Sequence, residues 1–412
     1  MRSALFEWLN EAKETHIPSL ESLAINVSFI IEEAVEEVYG SSTPEKEIMS
    51  PEEIEDLFYE IISSRILFLS NQNPSKKLIL VLDGIPLRAS LPFLRKTYYT
   101  RSVLPLIDPN VLLDGSDEMK RIIIHLQTFI KEKRALLPSE ITLSSPEAEG
   151  LAEEKIFSLI TGETLIISPF RISLLLHALQ NTNDNLYLFI KDKSFMSLRE
   201  AKRIIKEKIG TPHAISSFTA ALLLLNDAFA PLIPNMNTAS GFRAIIESLT
   251  EDVVTETADR ILWRSYLLFL SRIVEKQALR EKEKDKELET DRVRNYLEIL
   301  NFSYFFYSNG NVTNENKEMS IKYDYDEAPS LLNLINIGKG QITSIVKNET
   351  WKQWDKPLED EEFLSSVLPS HSFRHIMASK RMKIGIKPQA TFTRENMEKE
   401  ERTLYKWNTY LF

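Results

Sequence analysis

The chain has 412 residues, 43% of them hydrophobic and 27% charged, with a formal net charge of −10. That is enough for a sizeable core, and the acidic balance excludes a strongly basic nucleic-acid binder while leaving room for a local basic groove. There are no cysteines, so disulfides and every cysteine-based zinc site are excluded.

The opening stretch, MRSALFEWLNEAKETH, reads as a helix over 3–14 with Leu5, Phe6, Trp8 and Leu9 on its apolar side. It has the character of neither a signal peptide nor an Arg-rich transit sequence. Ser22–Ile31 is an apolar strand candidate with Asn26 in its middle, running into an acidic helix at 31–39. Ser50-Pro51-Glu52-Glu53 is a helix start with proline at the first helical position, and the helix continues to about Phe68. Leu78–Leu82 is a buried apolar strand that ends abruptly in Asp83 and Gly84. A carboxylate at the carboxyl end of a buried strand is where α/β enzymes place functional groups.

Residues 116–133 form a helix with Ile122, Leu126, Phe129 and Ile130 at helical spacing. Ile141–Leu143, Thr164–Ile167 and Leu186–Ile190 read as strands, and 152–160, 172–179 and 197–208 as helices. This alternation predicts an α/β fold with a predominantly parallel sheet flanked by helices. From 214 onward the chain reads as mainly helical. Residues 275–294, EKQALREKEKDKELETDRVR, are a mixed-charge run read as a solvated helix or linker. The expected domains are therefore 1–274 as the α/β core, 275–294 as a charged helix or linker, 295–382 as a second, mainly helical region, and 383–412 as an extended tail. No run of about 18 apolar residues exists, so no membrane span is expected. The setting expected is intracellular, cytoplasmic or nuclear.

Across nearly its whole length the chain resembles the conserved nuclease region of the XRN-type 5′→3′ exoribonucleases. FEWLNE (6–11) resembles that family's opening helix, and LVLDGIPLRAS (80–90) resembles its IDGVAPRAK segment. ITLSSPEAEGLAEEKI (141–156) aligns without a gap on VILSGHEVPGEGEHKI. LLLLNDAFAPLIP (222–234) resembles FLLGNDFLPHLP with one inserted residue. NYLEILNFSYFFYSNG (295–310), YDYDEAP (323–329) and FLSSVLPSHSFRHIM (363–377) resemble later segments of the family, in the same order. The resemblance implies a PIN/FEN-like Rossmannoid core with a helical C-terminal part. It also implies two-magnesium hydrolysis of RNA bearing a 5′-monophosphate, at a ring of carboxylates.

Carried over position by position, that ring is eroded. The family's first aspartate falls on Asn26, the second on Asp83, and the two glutamates of its GEGE element fall on Leu151 and Glu153. Its next two aspartates fall on Pro169 and Arg171, and the last on Asp227. The remnant is Asp83, Glu153 and Asp227. Three carboxylates carry too little charge for two magnesium ions, and a guanidinium about 4 Å from a divalent ion costs about 4 kcal/mol per unit of cation charge at an effective dielectric near 20. Arg171 would instead pair with Asp83 or Asp227. The family's 5′-phosphate pocket falls on Ser90, Leu94, Thr97 and Tyr98, and its base-holding histidine on Glu32. Positive charge survives nearby at Arg88, Arg95, Lys96 and Arg101, the candidate RNA-binding set.

Each of these residues also has a plain structural reading. Asp83 can cap a turn, Glu153 can favour a helix N-terminus, and Asn226-Asp227 can end a helix. The 302–307 aromatic block is core before it is a base-stacking platform. Lys202, Arg203, Lys206 and Lys208 are a solvated face before they are an RNA groove. His371 and His375 have the i,i+4 spacing of a zinc pair, with no further ligand cluster after them. The reading these residues favour is an XRN-like pseudo-nuclease without a cofactor, serving as a structural or regulatory subunit through protein partners and weak RNA contact, with no DNA or membrane partner. One alternative is an active, diverged Mg²⁺-dependent exonuclease whose replacement carboxylates are Glu147, Glu149 and Glu163. The other is a non-catalytic RNA-binding module.

Overall fold

The computed structural model describes the chain apart from residues 1, 16, 18, 41–45, 47, 92–93, 95–97, 99–108, 114, 147, 149, 170, 192–193, 226–227, 278–285, 309–322, 326, 348–359 and 369–412. The first half runs α1 (Arg2–Trp8), β1 (Lys13–Glu14), β2 (Leu20–Asn26), α2 (Val27–Tyr39), α3 (Pro51–Gln72), β3 (Ser75–Val81), α4 (Asp117–Glu132), β4 (Glu140–Ser144), α5 (Ala152–Leu159) and β5 (Thr164–Ile167). The second half runs α6 (Ile172–Gln180), β6 (Leu186–Lys191), β7 (Ser194–Ser197), α7 (Leu198–Ile209), α8 (Ala214–Leu222), α9 (Ala239–Ser248), α10 (Trp263–Gln277), α11 (Lys286–Ser308), α12 (Leu331–Lys347) and α13 (Asp360–Val367). These form two compact units. One, the parallel-sheet unit, takes the described residues of Ser19–Pro86, Leu94–Ser168 and Leu358–Phe412; the other, the helical unit, takes those of Met1–Pro18, Leu87–Phe93 and Pro169–Pro357.

In the parallel-sheet unit the strand order is β5-β2-β3-β4 and every neighbouring pair is parallel. The fold is mixed α/β, as the alternation of strands and helices predicts. Parallel strands need crossover helices, which cover the sheet faces and force apolar residues onto both sides of the strands. Leu23, Ala24 and Ile25 of β2, Leu78–Val81 of β3 and Leu82 just after it are accordingly without exposed surface. The crossover helices begin where their caps dictate. At α3, Ser50 Oγ accepts the Glu53 N–H at 3.2 Å while Glu53 Oε2 accepts the Ser50 N–H at 2.6 Å, with Pro51 first in the helix. At α4, Ser116 Oγ accepts the Met119 N–H at 3.0 Å, and Met119, Ile122, Leu126 and Phe129 face inward.

The helical unit carries an antiparallel set, β1-β7-β6, of which the sequence announces only β6, expected as the strand Leu186–Ile190. The helix expected over 3–14 stops at Trp8, because Lys13 and Glu14 leave it to pair with Met196 and Phe195. Tertiary pairing overrides the local period there. Likewise the helix expected over 197–208 is preceded by a strand, Ser194–Ser197, whose last residue also caps α7. The rest of this unit is helical. The aromatic block of α11 is core: Phe302, Tyr304, Phe306 and Tyr307 are all buried, with Phe229 edge-on to Phe302 and Phe306. Residues 286–294 of the charged run open α11, where buried Glu289 accepts from Asn333 Nδ2 at 2.8 Å and pairs with Arg292 at 3.0 Å. Among the described residues no helix is long and apolar enough to cross a membrane.

Candidate functional site at the strand ends

Because the four strands of the parallel sheet run the same way, their carboxyl ends lie along one edge. The residues that leave those ends are Asn26, Asp83, Ser145 and Ser168. Asn26 is both the last residue of β2 and the cap of α2. Its Oδ1 accepts the Phe29 N–H at 3.3 Å and its Nδ2 donates to Ser168 Oγ at 3.1 Å. Both side chains are buried, so the pair is a satisfied interior bond rather than an open ligand.

Asp83 follows β3. Its N–H donates to Ser28 Oγ at 2.8 Å, and its Oδ1 accepts the Ala152 N–H at 2.7 Å. Ala152 is the first residue of α5. The residue in the formal cap position, Leu151, has no acceptor of its own, so the helix takes its cap from the end of β3. Glu154 Oε2 accepts the Leu151 N–H at 3.1 Å and completes the turn. The glycine after Asp83 is needed for closeness: a Cβ at Gly84 would lie 2.2 Å from the Ala148 carbonyl oxygen and 2.5 Å from that of Pro146. Gly84 N–H donates to the Gly150 carbonyl at 3.0 Å, and Gly150 N–H to that of Ile85 at 2.8 Å, which locks the two loops together. Glu153 and Lys155 are buried in the same helix, and Lys155 Nζ donates to the Ser145 carbonyl at 3.0 Å.

A two-magnesium centre needs several oxygen donors with free lone pairs and an excess of negative charge. Here one Asp83 oxygen is engaged by a helix N–H and position 26 is a neutral amide bonded at both ends. The Lys155 ammonium also reaches within 3.1 Å of where a Gly84 Cβ would stand. The described donors do not fit such a centre. Among the described residues no group of three or more His, Asp or Glu is placed to hold a metal ion.

The structure places the other sequence-predicted residues as follows. Pro169 and Arg171 belong to the helical unit, where Arg171 is exposed in the position preceding α6. Glu163 precedes β5, and its carbonyl accepts the Glu21 and Ser22 N–H groups. Arg88 opens a short 3-10 turn whose Ser90 is buried, and Leu94 is buried too. The Tyr98 carbonyl accepts from Asn110 Nδ2 at 3.2 Å. Arg95, Lys96, Thr97, Arg101, Glu147, Glu149, Asp227, His371 and His375 lie outside the described residues. The partners that sequence reasoning missed are Ser28, Ser168 and Lys155; the available signal was position alone, Ser28 two residues past a strand-ending Asn26 and Ser168 one residue past β5.

The basic face of α7 is largely engaged within its own unit. Lys202 is buried and donates to Asp184 Oδ1 and the Asn181 carbonyl, each at 2.6 Å. Arg203 is held by Glu200 and Glu207 at 2.7 Å and by Glu11 at 3.7 Å. Lys208 donates to the Trp8 carbonyl at 2.7 Å and lies over the Trp8 ring.

No protein-family model matches the sequence, and no curated relative matches it. Among solved structures the chain is similar to one described as T5 D15 protein co-crystallized with metal ions. The identity is 12%, the TM-score 0.32, and the match covers 80% of this chain and 96% of that one. At that score the fold rests on the strand pairings given above.

Proposed function

We propose that this chain is a catalytically degenerate, XRN-like nuclease fold that serves as a structural or regulatory subunit through protein contacts, with at most weak RNA contact, in the cytoplasm or nucleus. The observation that carries the reading is the bonding at the strand ends. The polar groups there are turned toward one another and toward helix amides: Asn26 to Ser168, Asp83 to Ala152, and Lys155 to Ser145. Open carboxylates with free lone pairs are what metal-assisted hydrolysis requires. The sequence resemblance supplies the family, and Asn26, Leu151, Pro169 and Arg171 supply the argument for lost chemistry.

The test is a nuclease assay on RNA carrying a 5′-monophosphate, in Mg²⁺ and in Mn²⁺, with Asp83→Asn as the control. The expected result is no metal-dependent shortening by either protein. Shortening from the 5′ end that Asp83→Asn abolishes would establish the active, diverged enzyme instead. RNA retained without cleavage, with binding that falls steeply as salt rises, would favour a binding module using Arg88, Arg95, Lys96 and Arg101.

A further inference from the structure

We infer that the open edge of β4 is a self-association surface, on which a second copy of this chain adds its own β4 antiparallel about a twofold axis at Thr142. The inference is read from hydrogen-bond direction and does not rest on the loss of catalysis.

β4 ends the strand order of the parallel-sheet unit, paired only with β3 among the described residues. Its register is Lys77 opposite Glu140 through Val81 opposite Ser144. The Leu82 N–H donates to the Ser144 carbonyl at 3.1 Å, so the main-chain groups of Ser144 point toward β3. Those of Thr142 and Glu140 point the same way, because direction alternates along a strand. The main-chain groups of Ile141 and Leu143 therefore point outward, along the edge that no other described strand pairs.

Sheet edges are normally blunted by shortness, lysine, proline or a bulge. β1, at the end of the helical unit's strand order, has two of these devices: it is two residues long and begins with Lys13. β4 has none of them. It is five residues long, its one charge is Glu140 at its first position, and every residue after that is only half-buried.

A second β4 fits this edge in one symmetric register. Ile141 of one copy faces Leu143 of the other, and the reverse, so both outward N–H and C=O groups on each strand are satisfied. Thr142 then meets Thr142, a favourable cross-strand pair, and Glu140 meets Ser144 rather than another carboxylate. Leu136, 61% exposed in the 3-10 turn four residues before β4, is an exposed apolar side chain near the strand's start in the chain. A five-residue strand pair is small for a permanent interface, which places the dimer among weak, concentration-dependent ones.

The experiment is sedimentation velocity on the full chain from low to high micromolar concentration, on wild type, Thr142→Lys and Ile141→Pro. Thr142→Lys puts two like charges opposite each other at the axis, and Ile141→Pro removes an outward N–H that β3 does not use. The expected result is a wild-type monomer–dimer equilibrium that each variant weakens by about tenfold or more. A wild-type chain that stays monomeric, or a dimer that neither variant weakens, overturns the inference. Should a variant lose its fold by circular dichroism, amide exchange on wild type decides. Protection at Ile141 and Leu143 that grows with protein concentration supports the pairing; protection independent of concentration refutes it.

Discussion

His177 is buried in α6, edge-on to Tyr307 at 4.7 Å and to Phe306 at 5.4 Å, and burial pushes its imidazole from the ordinary value of 6.5 down to about 3. Between those values the unfolded chain holds a proton that the folded chain does not, so stability rises with pH across the window. The contribution is fully present above about pH 6.5 and is lost as pH falls toward about 3. The slope from one such group approaches about 1.4 kcal/mol per pH unit. Urea unfolding at a series of pH values should show wild type losing stability from pH 6.5 downward, and His177→Leu losing it less steeply by about that amount. Equal slopes would mean that His177 titrates normally. The sequence shows a neutral Asn26 close behind a buried apolar run. It does not show that Ser168, 142 residues away, accepts from its amide, because a pairing across the sheet leaves no local pattern.

Helix α5 depends on a residue outside itself. Its cap position is Leu151, and the acceptor for its first N–H comes from Asp83 at the end of β3. Loss of a capping acceptor costs about 1 kcal/mol, whereas asparagine caps about as well as aspartate. Asp83→Ala should therefore lower stability by about 1 kcal/mol in urea unfolding, with Asp83→Asn near wild type. Equal losses in the two variants would show that the charge, and not the cap, is what Asp83 contributes. Elements with self-contained signals are legible from sequence. Ser50-Pro51 starts α3, Ser116 starts α4, and Leu78–Leu82 announces a buried strand. β1 and β7 are not legible, since two- and four-residue strands exist only through their partners and carry no period of their own.

In the whole molecule, the alternation of strands and helices is enough to reach a mixed α/β fold with a parallel sheet. The two compact units, however, exchange segments: the short stretch Leu87–Phe93 belongs with the helical unit although its neighbours on both sides do not. No composition shift marks such a crossing, so boundaries drawn along the sequence pass over it. For the whole molecule the deciding property is whether the strand ends take divalent metal. A nuclease assay depends on supplying the right substrate, but metal binding does not. The most direct measurement is a Mn²⁺ titration of the full chain by electron paramagnetic resonance, comparing wild type with Asp83→Asn. A catalytically degenerate fold predicts that both leave Mn²⁺ as the free aqua ion across the titration. Bound Mn²⁺ on wild type that disappears in Asp83→Asn would contradict it.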